Sequence, residues 1–197
     1  MNLETYAAFV LFVLVMTGTP GVGNISMMAI GQTTGYRSSL PFLAGAVAGM
    51  AFLNLMVGLG LGALLLAMPD VAFGLKVAGM VYILYLGWKI MTMHIGEPDP
   101  DRRFTVLEGL LLHPTNPKSW TMSVVGFSQL ADPSLPLWVQ MAYFIPTFIV
   151  FQTMCHSLWG VAGVFIMRTL RSRRALLAVN ALMVAAMVGS TAYAMLV

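Results

Sequence analysis

Two short stretches place helix-breaking residues beside polar ones inside apolar surroundings: Thr17-Gly18-Thr19-Pro20-Gly21-Val22-Gly23-Asn24 and His113-Pro114-Thr115-Asn116-Pro117-Lys118. A proline within a helix removes a backbone hydrogen bond and clashes with the preceding turn, at ~3 kcal/mol or more. In lipid, the freed backbone groups have no solvent to turn to, so such a break persists only where protein or a water-filled cavity satisfies it. Two breaks of this kind predict one shared cavity. The half-helix that starts after each break presents bare N–H groups and a partial positive charge, chemistry that suits a carboxylate. Thr19, Pro20, Gly21 and Asn24 in the first break, and Thr115, Asn116, Pro117 and Lys118 in the second, are the candidate binding residues. Lys118 has two readings. Its ammonium faces the cavity and attracts an anionic group, or its stem reaches an interface or caps the carbonyls of the broken helix. Asn24 holds the equivalent place in the first break, either to bind a solute or to satisfy the broken backbone.

Other titratable groups are few. Glu108 is the single acidic residue inside an apolar segment, near Arg102 and Arg103, and reads as an interfacial ion pair or a proton carrier. His113 adjoins the second break and is the better proton-coupling candidate. Gln152 and His156 are four apart on one helix face and read as an interhelical hydrogen-bonding pair. Seventeen methionines are scattered through the chain, and only Met91-Thr92-Met93-His94 resembles a cluster, so packing explains them better than copper ligation. Tyr82, Tyr85 and Trp88 line the cavity or form an interfacial belt. One cysteine, Cys155, excludes an internal disulfide and a CxxC site.

These residues need helices to hold them. Of 197 residues, 59% are hydrophobic and 9% charged, against about 25% charged in soluble domains. A spanning helix takes about 20 apolar residues, and six segments fit: 4–30, 41–67, 72–94, 104–128, 136–167 and 174–197. No separate catalytic or DNA-reading domain has room. Arg37, Lys89, Arg102, Arg103, Arg168, Arg171, Arg173 and Arg174 fall at the breaks after segments one, three and five, against Lys76 on the other side. The positive-inside rule then puts both termini away from the cytoplasm. Pro20 and Pro41 are 21 positions apart, Pro114 and Pro136 are 22. The chain reads as two three-span halves, 1–95 and 104–197, joined by a cytoplasmic linker, 96–103. Because three is odd, the halves are inverted. Broken spans at matching places in two halves point to a transporter's binding site. The expected fold is an all-α membrane protein of six transmembrane helices in two inverted three-helix repeats, the first and fourth helices broken. Gly45-x-x-x-Gly49 and Gly58-x-Gly60-x-Gly62 in span two permit close helix packing inside the bundle or a homodimer face.

Thr19-Pro20-Gly21 with Asn24, Gly109 with Asn116-Pro117-Lys118, and Leu75-Lys76-x-x-Gly79-x-x-Tyr82-x-x-Tyr85-Leu86-Gly87-Trp88-Lys89 together resemble the lysine exporter (LysE/RhtB) family, from residue 3 to about 130. The resemblance implies an inner-membrane exporter of an amino acid or derivative, not an enzyme, driven by proton antiport with alternating access. Its implied partners are an amino-acid-like solute, protons and the lipid bilayer, with no nucleic acid, metal or cofactor. The family's pattern departs at Val22-Gly23, where a second proline is usual, and at the extra Pro114. The few charges around the breaks favour a neutral side chain on the solute, such as a branched amino acid, homoserine or threonine. A cation or metal exporter on the same scaffold is the alternative.

Overall fold

A computed structural model describes residues 2–92, 104–132, 134–170 and 172–196. Every regular element among them is helical. In chain order they are α1 (Leu3–Gly18), α2 (Val22–Thr33), a 3-10 turn (Tyr36–Ser39), α3 (Leu40–Gly58), α4 (Leu61–Leu66), α5 (Pro69–Thr92), α6 (Val106–Leu112), α7 (Pro117–Leu130), α8 (Leu137–Thr169) and α9 (Arg173–Leu196). The expected linker 96–103, with Arg102 and Arg103, lies outside the described residues, as do Met93, His94, Pro133 and Arg171.

Both expected breaks are present. α1 and α2 meet at 50° across Thr19–Gly21, and α6 and α7 are separated by His113–Asn116. Prolines open the elements where a missing N–H costs nothing: Pro41 in the first turn of α3, Pro117 in that of α7, and Pro136 as the residue before α8. Four helices are long and apolar enough to cross a membrane by themselves, the last of the α3, α5, α8, α9 set ending at Tyr193, and the bent α1–α2 pair makes a fifth. The segment expected as the fourth span is divided into the short α6 and α7.

Span two departs from its expected course to residue 67. α3 stops at Gly58, and Gly60 takes a φ of 96°, a left-handed conformation that glycine adopts without a Cβ clash. Gly58-x-Gly60-x-Gly62 is therefore a turn rather than a helical stripe. Gly45-x-x-x-Gly49 is a stripe, and it faces inward. A Cβ at Gly45 would strike the Val106 carbonyl and one at Gly49 the Leu110 carbonyl, while Gly109 of α6 lies against the Phe42 carbonyl. α2 and α8 make a second such seam, with Gly31 against the Gly160 carbonyl and Gly163 against the Met28 carbonyl. Small residues let the backbones approach and let dispersion hold the helices together where lipid offers no hydrophobic drive.

The packing is crossed. α8 lies on α1 and α2, and α3 lies on α6 and α7. Each broken segment thus rests on the helix that follows the other break. Two apolar clusters result. One gathers Ile25, Met27 and Ile30 of α2 with Phe42, Ile83, Leu86 and Met187. The other gathers Phe9 and Val13 of α1 with Met50, Leu53, Met122, Phe144 and Phe148, where the Phe148 ring meets those of Phe9 and Phe144 edge to face. On α3 the clusters own Leu43 and Met50, and Ala46 lies between them. On α8, Gln152 and His156 follow Phe148. The polar residues of both breaks occupy this intervening layer.

Candidate functional site

The first break leaves a run of carbonyls without helical partners, and each finds a donor. The Thr19 amide and hydroxyl donate to the carbonyls of Val15 and Met16 at 3.2 and 2.9 Å. Asn24 Nδ2 donates to the carbonyls of Thr17 and Thr19 at 2.7 and 2.8 Å. Trp159 Nε1 of α8 donates to the Gly18 carbonyl at 3.2 Å. Lys118 Nζ donates to Thr19 Oγ1 at 3.0 Å and approaches the Pro20 carbonyl at 3.4 Å. Buried backbone polar groups are costly unless paired, so this accounting explains why the break survives at depth.

The second break is treated in the same way. The Thr115 amide and hydroxyl return to the Leu111 carbonyl, the Asn116 amide donates to the His113 carbonyl, and Trp120 Nε1 donates to the Pro114 carbonyl at 2.8 Å. The Thr115 carbonyl packs on Gly79 of α5, where no Cβ would fit.

The two half-helix ends are not equivalent. Asn116 Oδ1 accepts from the Lys118 amide at 3.0 Å, so α7 is capped by its own sequence. Gly21 precedes α2 with no side-chain cap. The open amide end belongs to α2 alone, and its first residues, Gly21 to Asn24, line a cavity of about 40 Å³. Opposite them stand His113, Asn116, Lys118, Ser119, Gln152 and His156. The space holds only about one to three water molecules.

Two hydrogen-bonded sets line this cavity. Ser119 Oγ lies 2.9 Å from His113 Nδ1, His113 Nε2 lies 2.8 Å from Gln152 Nε2, and His156 Nδ1 lies 2.7 Å from Asn24 Oδ1. The two imidazoles stack with centroids 5.9 Å apart and planes within 12°. α8 thereby ties the two breaks together. Next to the small cavity is a wider cleft of about 540 Å³, lined by Met16, Thr19, Pro20, Lys118, Thr121 and residues of α9 as far as Tyr193. Met16, Thr19 and Lys118 belong to both spaces, so the Lys118–Thr19 bond stands between them.

Of the candidate residues, Thr19, Gly21, Asn24, His113, Asn116 and Lys118 come together here, and Pro20 borders the wider cleft. Thr115 and Pro117 hold the break without lining the cavity. Glu108 stands apart. Its Oε1 pairs with Lys89 Nζ at 2.6 Å, and accepts from the Tyr85 hydroxyl at 3.0 Å. Its Oε2 accepts from the Thr105 amide in a capping box. Among the described residues its ion-pair partner is Lys89, which also lies 4.5 Å from the centre of the Phe104 ring, while Arg102 and Arg103 lie outside them. Tyr82 donates to the Glu108 carbonyl, so these tyrosines gather at Glu108 rather than at the cavity. Gln152 and His156 make the interhelical hydrogen bonds expected of them, with His113 and Asn24, but the sequence does not show that they line the cavity. Among the described residues, no three His, Cys, Asp or Glu side chains form a metal site.

Comparison with known proteins places the chain in a family. The chain is 31% identical over 147 residues to an uncharacterized membrane protein of Vibrio cholerae, covering 71% of each chain. It is 29% identical, over the same length and shares, to a homoserine/homoserine lactone efflux protein of Salmonella typhi and to its counterpart in Salmonella typhimurium. No solved structure matches. Residues 13–197 match the family described as LysE type translocator, through the last helix, and the chain belongs to that family of bacterial multi-pass membrane proteins.

Proposed function

We propose that this protein exports a small amino acid or amino-acid derivative with a neutral side chain across the inner membrane, exchanging it for protons by alternating access. The observation that carries the reading is the cavity itself. Two broken helices and α8 enclose a polar layer between two apolar clusters, and Lys118 separates it from a wider cleft. A buried, hydrogen-bonded polar layer at a pair of broken helices is the arrangement of a secondary transporter's binding site. The solute's carboxylate has two complements here, the open N-terminus of α2 and the Lys118 ammonium. Homoserine, named in two relatives, has the carboxylate and neutral side chain that this reading requires.

In this reading the six spans form two inverted halves, with α6 and α7 as the fourth span. The crossed packing of α8 on the first break and α3 on the second supports it. Lys118 is the gate. Releasing Thr19 joins the two spaces, and the small cavity must widen to admit a solute larger than water. The histidines of the cavity supply the proton site, while Glu108 secures α6 against α5.

The test is efflux from cells overproducing the protein. Wild type should lower intracellular homoserine or threonine and raise resistance to the same solutes. Lys118→Met should abolish the effect with the protein still in the membrane fraction. Unchanged efflux by that variant would overturn the role given to Lys118, and no efflux of any amino acid by wild type would overturn the export reading.

A further inference from the structure

Hydrogen-bond directions around His156 are forced by its neighbours. Asn24 Nδ2 is committed to two carbonyls, so the atom facing His156 Nδ1 is the amide oxygen, which can only accept. Nδ1 therefore carries the hydrogen, and in the neutral ring Nε2 holds a lone pair. That nitrogen has no partner, and a Cβ at Gly23 would stand 2.5 Å from it. One turn earlier on α8, Gln152 Nε2 donates to His113 Nε2 and toward the Ala46 carbonyl at 3.3 Å. Gln152 Oε1 is left without a donor. Both residues are deeply buried, at 5% and 1% exposure, and both line the cavity. Two orphan acceptors one turn apart on α8, both lining the cavity, call for a ligand rich in N–H donors.

We infer that His156 Nε2 and Gln152 Oε1 form an ammonium subsite for the α-amino end of the exported solute, and that His156 Nε2 is the atom at which a proton competes with it. The inference rests on the export reading and adds the second pole of a zwitterion, opposite Lys118. His113 is ill placed for this task. Its Nε2 accepts from Gln152 and its Nδ1–H is turned to Ser119, so both nitrogens are occupied. A proton arriving at His156 forms an N–H bond at Nε2, turns that acceptor into a donor, and adds a charge that repels an ammonium. Proton and solute then exclude each other, as antiport requires. From the α6–α7 side His113 stacks on His156, and Lys118 lines the same cavity with its ammonium on Thr19. α2 contributes the uncharged Asn24, α3 the Ala46 carbonyl to the neighbouring Gln152, and the 3-10 turn Tyr36 bonded to Ser157, while Cys155 of α8 is turned to Thr17.

The experiment uses the purified full chain in liposomes, with counterflow of labelled L-homoserine, L-threonine or L-leucine. Unlabelled L-homoserine should compete, and N-acetyl-L-homoserine, which lacks the ammonium, should compete about ten- to a hundredfold more weakly, the value of a hydrogen bond to a charged group. Apparent affinity for L-homoserine should fall as pH drops and Nε2 is protonated. His156→Asn, which retains a donor for Asn24, should weaken affinity by a similar factor and flatten the pH dependence. Equal competition by the acetylated compound, or a wild-type pH dependence in His156→Asn, overturns the ammonium subsite while leaving export intact. Absence of counterflow for all three solutes by the wild-type chain overturns the export reading and the subsite with it.

Discussion

Asn24 carries more of the first break than any other side chain. Its amide donates to two carbonyls and accepts from His156, so its three bonds join α1, α2 and α8. Asn24→Ala would orphan two carbonyls and an imidazole N–H in a buried layer, each at about 1–3 kcal/mol. The variant should melt well below wild type when purified in detergent. Asn24→Asp should fail to rescue it, because a carboxylate cannot donate to the carbonyls of Thr17 and Thr19. A residue that merely bound solute would leave the melting temperature unchanged in both variants. Asn24 could be singled out from sequence because a polar residue follows a Thr-Pro-Gly break. The reading left open whether it binds a solute or repairs the helix, and the structure shows that its amide is spent on the backbone. His156 and Gln152 could not be assigned in that way. Their partners lie 132 and 39 positions away, and an i, i+4 pair carries the same pattern whether it packs or lines a cavity.

At the scale of elements, prolines mark most of the boundaries, since a residue without an N–H is tolerated at a helix start and disrupts a helix interior. That is why Pro20, Pro41, Pro117 and Pro136 located the breaks and span starts correctly. Glycines are less legible, because one residue type serves turns, stripes and close crossings. Gly45 and Gly60 look alike in the sequence, yet one abuts a backbone carbonyl and the other turns the chain. The asymmetry of the half-helix ends was also hidden, although Asn before Pro-Lys is a favourable N-cap sequence. The seams can be tested directly. Gly49→Ala and Gly163→Ala would drive a methyl into the Leu110 and Met28 carbonyls, and backbone cannot swing aside as a side chain can. Each should cost about 1–3 kcal/mol. Gly74→Ala in α5 meets nothing within 4 Å and should be neutral or stabilising by about 0.5–1 kcal/mol, from helix propensity alone. Thermal melts of the three variants in one detergent give the comparison, and equal stability of Gly49→Ala and Gly74→Ala would contradict the packing described for α3 and α6.

For the whole molecule, the proposed inverted arrangement makes a claim about sides. An odd number of spans in each half places the turn after the first broken span and the turn between α8 and α9 on one face, and the turn between α7 and α8 on the other. The basic residues fall with the first pair: Arg37 in the 3-10 turn, Arg168 at the end of α8, and Arg173 and Arg174 at the start of α9. Asp132 lies at the opposite turn, where its Oδ1 accepts from the Ser134 amide at 2.9 Å. The positive-inside rule predicts that the basic face is cytoplasmic. The protein offers a low background for mapping this, because Cys155 is buried and is the one cysteine in the chain. Ser38, Ser134 and Ser172 are exposed turn positions, so single cysteines there should react with a maleimide reagent without disturbing the fold. In intact spheroplasts an impermeant maleimide should label Ser134→Cys at once and label Ser38→Cys and Ser172→Cys only after permeabilisation. Labelling of Ser38→Cys from outside together with Ser134→Cys would mean that α6–α7 does not cross the bilayer, because α3, α5 and α6–α7 are the segments between the two positions, and the two halves would then not be inverted copies about a shared cavity.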